Sequence, residues 1–128
     1  MAPLNGEFFK VSEFICRCGR CGRADISPRL IPILDRVRIR YQKPMIVTSG
    51  FRCPDYNIIV RGGEEHPKGE AADIAVYSSF DAHHLVEVAI LEDIRRLGID
   101  VSAAAIKEGR AFIHLGISTI LIPGIWTY

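Results

Sequence analysis

Residues 62–77 read GGEEHPKGEAADIAVY, and the reading of that stretch decides the fold. Two glycines open it as a turn, and small residues with a further glycine fill its middle. AADIAVY (71–77) then has the short apolar, β-branched character of a strand. His66 lies in the turn and Asp73, seven residues later, near the start of the strand. An imidazole and a carboxylate placed at the two ends of one connection can meet on a single cation if a third ligand arrives from elsewhere.

FIHLGI (112–117) offers that third ligand. Side chains alternate along a strand, so His114 shares a face with Phe112 and Gly116, and the glycine leaves room beside the imidazole. Two histidines and one carboxylate from adjacent strands supply three protein ligands and leave a position for water, the donor set of a catalytic zinc site. The same residues taken singly read as a loop histidine, a turn aspartate and a core histidine bonded to backbone. A non-haem iron oxygenase also uses two histidines and a carboxylate, but its first two ligands usually come from a much tighter motif than this seven-residue gap.

Outward from this centre the elements follow from periodicity. SPRLIPILDRVRIRYQ (27–42) predicts a helix with Ser27 as N-cap and Pro28 in the first turn. Its inward face is Leu30, Leu34, Val37 and Tyr41. KPMIVTSGF (43–51) predicts a strand, and RCPDYNIIVRGG (52–63) mixes turn residues with a short apolar piece. SSFDAHHLVEVAILEDIRRLG (78–98) predicts a second helix, with Asp81 as a cap. Leu85, Val88, Leu91 and Ile94 or Ile90 face inward, and Gly98 is the stop signal. His83 and His84 fall in its first turn as exposed or half-buried residues. VSAAAIKEG (101–109), AFIHLGIS (111–118) and TILIPGIW (119–126) predict three more strands; Trp126 and Tyr128 can line a substrate groove, though ending a strand against the core is the commoner role for such aromatics. The sum is a single α+β domain over 1–128, a mainly antiparallel sheet packed with two longer helices, behind an irregular cysteine-rich segment at 1–27.

Composition narrows the function classes. With 48% apolar and 24% charged residues the chain is of ordinary globular type. A net charge of +1 gives no concentrated basic face for nucleic acid or an anionic membrane. No apolar run is long enough to span a bilayer. The N-terminal MAPLNGEFFKVSEF lacks the pattern of a secretory leader, so the expectation is a soluble protein whose release, if any, uses another route.

TSGFRCPDYN (48–57), GGEEHPKGEAADI (62–74) and FIHLGI together resemble the zinc D-alanyl-D-alanine peptidase family, whose fold is shared with the hedgehog signalling domain. FKVSEFICRCGRCG (9–22) and the first helix are similar to the start of its small single-domain members. The resemblance implies Zn²⁺ bound by His66, Asp73 and His114, and hydrolysis of peptide bonds in peptidoglycan stem peptides, by a D-Ala-D-Ala carboxypeptidase or a crosslink endopeptidase. It also implies that Arg52 contacts substrate, as a guanidinium fork suits a carboxylate or carbonyl oxygen. The alternative within the same fold is a catalytically inactive module that keeps zinc for stability.

Departures from the family pattern cluster around the base. Many members carry Glu or Asp three residues before the last zinc histidine, where Ala111 stands here, and Asp two after it, where Gly116 stands. Glu64 replaces the usual serine two before the first histidine. By analogy with the hedgehog branch Glu108 is the first candidate for the base, and Glu65 the second. Cys16, Cys18 and Cys21 have C-x-C-x-x-C spacing, and Cys53 follows Arg52. They can form a structural metal site, a disulfide between Cys53 and one of the three, or free thiols.

Overall fold

In a computed structural model, which describes residues 2–128, the chain runs α1 (Leu30–Tyr41), β1 (Val47–Ser49), α2 (Pro54–Ile59), β2 (Ala71–Ala75), α3 (Ser79–Leu91), β3 (Arg96–Asp100), α4 (Ala103–Lys107), β4 (Phe112–Gly116) and β5 (Gly124–Thr127). Two 3₁₀ turns, Val11–Phe14 and His66–Lys68, complete the order. The architecture is α+β, with one five-stranded sheet ordered β1-β2-β4-β3-β5. All pairings are antiparallel except that of β3 with β5, which is parallel. Among the described residues no helix is long and apolar enough to cross a membrane.

Strand alternation sorts the two faces of the sheet. Ala72 and Ile74 on β2, Ile113 and Leu115 on β4, and Leu97 on β3 are buried in the apolar core. That core includes the predicted inward face of α1, namely Leu30, Leu34, Val37 and Tyr41. The alternate residues Asp73, Phe112, His114, Gly116 and Gly98 stand on the opposite face. Helix α3 packs on β4 and on α1. Arg36 and Arg40 of α1 both pair with Glu92 just past the end of α3, so the two long helices are tied at their surfaces as well as through the core.

Several sequence expectations need correction. The second helix stops at Leu91, not at Gly98, because Asp93 takes a left-handed φ of 65° and the chain from Arg96 enters the sheet. The buried set of α3 is therefore Ala82, Leu85, Val88 and Ala89, while Ile90 and Leu91 are exposed. Gly98 is a strand glycine: a Cβ there would lie 2.6 Å from the Tyr128 hydroxyl and 2.7 Å from Trp126 Nε1. The cap of α3 is Ser78, whose hydroxyl accepts the Asp81 N–H at 3.0 Å.

Residues 103–107 form a helix rather than a strand, since alanine has the highest helix propensity and Ser102 accepts the Ala105 N–H to cap it. Of TILIPGIW only Gly124 onward is strand. The apolar piece after Cys53 becomes α2, opened by Pro54. At the first helix, Ser27 and Pro28 belong to a preceding turn and the α-helix proper starts at Leu30, its Ser27 hydroxyl accepting the Arg29 N–H.

Candidate metal centre

One row of residues crosses the whole sheet. Ser49 on β1 stands opposite Asp73, Asp73 opposite His114, His114 opposite Gly98, and Gly98 opposite Trp126 on β5. Directly opposed residues share a face, so Asp73 and His114 are neighbours because of strand register alone. His66 reaches the same point from the turn before β2. That turn closes at Gly69 with a φ of 67°, where a Cβ would lie 2.3 Å from the carbonyl of Asp25, so only glycine lets the chain pass.

The polar atoms converge on the carboxylate. Asp73 Oδ1 lies 3.3 Å from His66 Nε2 and 3.1 Å from His114 Nδ1, and one ligand atom from each residue lies within 4.8 Å of the others. All three side chains are buried. Each is also anchored at its other polar atom. His66 Nδ1 donates to the Gly50 carbonyl at 2.7 Å, since a carbonyl only accepts, and this bond turns Nε2 toward Asp73. Arg52 donates from Nη2 to Asp73 Oδ2 at 3.3 Å and from Nε to the Ser49 hydroxyl at 3.1 Å. His114 Nε2 donates to Glu65 Oε1 at 2.9 Å. Three side chains thus each present one remaining atom to a common point, with outer partners of the kind that orient metal ligands.

The electrostatics follow from this packing. Burial by itself would raise the Asp73 pKa, but hydrogen bonds from His114 and His66 outweigh it and hold the carboxyl well below the usual range. Burial would lower that of His114, yet its bonds to Asp73 and Glu65 win and raise it above the ordinary histidine value. For Glu65, burial opposes ionisation, and the bonds from His114 and Arg96 overcome it, so the carboxyl is held low.

Glu65, the second candidate for the base, lies against the cluster. It is buried, and both its oxygens are engaged: Oε1 by His114 Nε2 and by Arg96 Nε at 2.9 Å, Oε2 by the Ser118 N–H at 3.2 Å. It stands behind the His114 ring, on the side away from Asp73. The room expected at Gly116 is real, and the Glu65 carboxylate fills it: a Cβ there would lie 2.2 and 2.3 Å from its two oxygens. Adjacency to His66 together with a glycine two after His114 was the available signal.

The structure does not bring Glu108 to the cluster. It lies in the exposed turn after α4, where it pairs with Arg110 at 2.8 Å, and it does not line the cleft. That cleft, about 420 Å³, opens over His66, Asp73 and His114. Arg52, Arg61 and Glu64 line one part of it, and Phe112, Trp126 and Tyr128 another. Trp126 and Tyr128 therefore form a wall of the cleft instead of closing the core. The Trp126 ring lies 5.2 Å from His114 and carries the Arg96 guanidinium 5.0 Å from its centre, and Tyr128 packs 5.0 Å from Phe112. A larger recess, about 590 Å³, lies between Arg29, Glu92 and the 116–123 loop and holds none of the three clustered residues. His83 is exposed and His84 packs on Tyr41, both remote from the cleft.

A family model described as Peptidase M15 matches residues 7–115. No curated protein and no solved structure gave a significant match.

Proposed function

The chain belongs to the Peptidase M15 family, and on that premise we propose that it is a zinc metallopeptidase acting on peptidoglycan stem peptides, with His66, Asp73 and His114 holding the ion. One observation carries the reading: each of the three side chains has its outer atom committed to Gly50, Arg52 or Glu65, which leaves one inward-facing ligand atom apiece. Two imidazole nitrogens and one carboxylate oxygen are the donor chemistry zinc takes in catalytic sites. When bound there, zinc supplies a Lewis acid for the scissile carbonyl and a water whose pKa is lowered to about 7.

The chain's own groups divide the remaining work. Glu65 holds the His114 ring in the orientation that turns Nδ1 inward, and Arg52 holds Asp73 by its outer oxygen, so both act as positioning residues. The Arg61 guanidinium lines the cleft with no hydrogen-bond or ion-pair partner among the described residues, and Arg52 has Nη1 left over. A guanidinium at that place suits the terminal carboxylate of a stem peptide, which favours the carboxypeptidase type. Trp126, Tyr128 and Phe112 offer an apolar wall for the peptide's side chains and help exclude water. Apart from Asp73, the carboxylates lining the cleft are Glu64 and Glu65. Since Glu65 is fully engaged, Glu64, exposed and unpaired among the described residues, is the group left to accept the proton of the attacking water.

The second reading, a zinc-stabilised binding module, draws on Ala111 and on the full engagement of Glu65. Zinc-loaded protein incubated with pentapeptide, tetrapeptide and crosslinked muropeptides separates the two. The peptidase reading expects release of terminal D-alanine, abolished by His114→Ala and reduced in kcat by Glu64→Gln with zinc retained. Absence of any cleavage by protein that holds zinc at this site would leave the binding module.

A further inference from the structure

On the other side of Arg52 the four cysteines come together. Cys16, Cys18 and Cys21 from the N-terminal segment and Cys53 at the start of α2 place their sulfurs all within 4.8 Å of one another, and all four are thiols. Cys16 is buried and the other three are half-buried. The grouping is fourfold, around one point, rather than a set of bonded pairs.

Backbone geometry sharpens this. The N–H groups of Arg20 and Cys21 both donate to Cys18 Sγ at 3.3 Å, that of Arg23 to Cys21 Sγ at 3.4 Å, and that of Cys53 to Cys16 Sγ at 3.3 Å. Four main-chain donors thus aim at three sulfurs. A thiol sulfur is a weak acceptor, whereas a thiolate gains a charge-assisted bond from each N–H. The turns that aim them depend on Gly19 and Gly22, with φ of 74° and 61°, a conformation glycine adopts without steric cost. A local sequence of Cys18-Gly19-Arg20-Cys21-Gly22 has therefore been shaped to present sulfur lone pairs to a common centre.

We infer that Cys16, Cys18, Cys21 and Cys53 hold a second zinc ion, structural in role, with all four positions filled by thiolate. Tetrahedral zinc at about 2.3 Å from each sulfur spaces the sulfurs about 3.8 Å apart, compatible with the grouping seen. Binding displaces the thiol protons to solvent, and the two excess negative charges of the complex lie in segments rich in arginine: Arg17, Arg20, Arg23 and Arg52.

The ion's place in the fold says what it does. It joins the N-terminal segment to residues 50–53, a junction otherwise made by the Phe51 N–H to the Phe14 carbonyl at 3.0 Å. Gly50 is packed so tightly on Phe14 that a Cβ would lie 2.6 Å from its Cα. The same short stretch supplies the Gly50 carbonyl that orients His66 and the Arg52 guanidinium that orients Asp73. The thiolate site thereby fixes the segment that aims two of the three side chains at the other centre. It does not depend on the peptidase reading.

Cobalt tests the inference on the intact chain. Protein purified under reducing conditions, stripped of metal and titrated with Co²⁺ should show a thiolate-to-cobalt charge-transfer band and intense tetrahedral visible bands, and zinc analysis of the wild type should give two ions per chain. The His66→Ala, His114→Ala double variant should keep the thiolate band and one ion; Cys18→Ser with Cys21→Ser should lose the band. Because the cysteine variant can fail to fold, the wild-type spectrum with a thiol count under denaturing conditions is decisive alone. No thiolate band, with either four titratable thiols or fewer through disulfides, overturns the inference and leaves the reading of the histidine site untouched. Presence of the band, with zinc also held at the histidine site and no peptide hydrolysis, sinks the other reading and not this one.

Discussion

Replacing Glu65 by glutamine tests whether this residue orients a ligand or performs the chemistry. The substitution keeps shape and removes charge. If the amide oxygen takes the Oε1 place, it still accepts from His114 and Arg96, but the amide nitrogen then faces the Ser118 N–H, donor against donor. If the amide turns over, its nitrogen faces His114 Nε2, and the ring proton must move to Nδ1, the atom aimed at Asp73. In the first case the His114 bond falls from the charge-assisted range of about 1.5–3 kcal/mol to about 0.5–1.5, a loss of about 1–1.5 kcal/mol. That corresponds to roughly tenfold in zinc affinity, and the second case adds to it. The expected loss is thus about 10- to 100-fold, the usual cost of disturbing an outer partner of a metal-bound histidine. Removal of the Ser118 bond takes about 1 kcal/mol more from folding stability without touching the ion. Competition for zinc against a chelating dye, with a parallel thermal melt, reads both effects. Zinc affinity within twofold of wild type, combined with a kcat reduced by orders of magnitude, would refute the positioning role and make Glu65 the base.

Other perturbations follow from the same geometry. Gly116→Ala drives a methyl group into the Glu65 carboxylate, so it should weaken zinc binding about as much as Glu65→Gln and cost about 1–3 kcal/mol by overpacking; unchanged affinity would show that the carboxylate has somewhere else to go. In the metal-free protein, the raised pKa of His114 gives a stabilisation fully present below its unfolded value of 6.5 and lost as pH rises through the folded value. Asp73, whose pKa is depressed, stabilises above its unfolded value of 3.8 and loses this only as pH falls through the folded value. Because zinc must displace the His114 Nδ1 proton, the gain in Tm on adding zinc should be small near pH 5 and large near pH 8, and equal gains at both would contradict the proton competition. Leu34→Ala, in the centre of the α1 face, should lower stability by about 2–5 kcal/mol in denaturant titration while leaving zinc affinity per folded molecule unchanged. A matching loss of affinity would mean that core and site are coupled.

Much of this protein was legible before any coordinates. Helical periodicity placed Leu30, Leu34, Val37 and Tyr41 on the buried side of α1, because a 3.6-residue repeat of large apolar groups has one way to leave water. The turn from Gly62, the spacing of His66 and Asp73, and the strand around His114 named the three clustered side chains, since local turn chemistry and two-residue alternation are written in the chain. Contest between helix and strand at 94–100 and 103–107 was not legible there. Leu97 and Ile99 become strand only because β4 and β5 flank them on either side, and Ala103–Lys107 becomes helix where no neighbouring strand claims its backbone. Tertiary structure also decided where each carboxylate stands. The residue types of Glu64, Glu65 and Glu108 are the same, and their surroundings differ through register and direction: one lines the cleft with no ion-pair partner among the described residues, one is locked behind an imidazole, one points to solvent beside Arg110. Convergence of Cys53 on a cluster more than thirty residues earlier belongs to the same class of fact, since long-range closure depends on how the sheet and the 50–53 segment pack, and spacing alone carries no information about it.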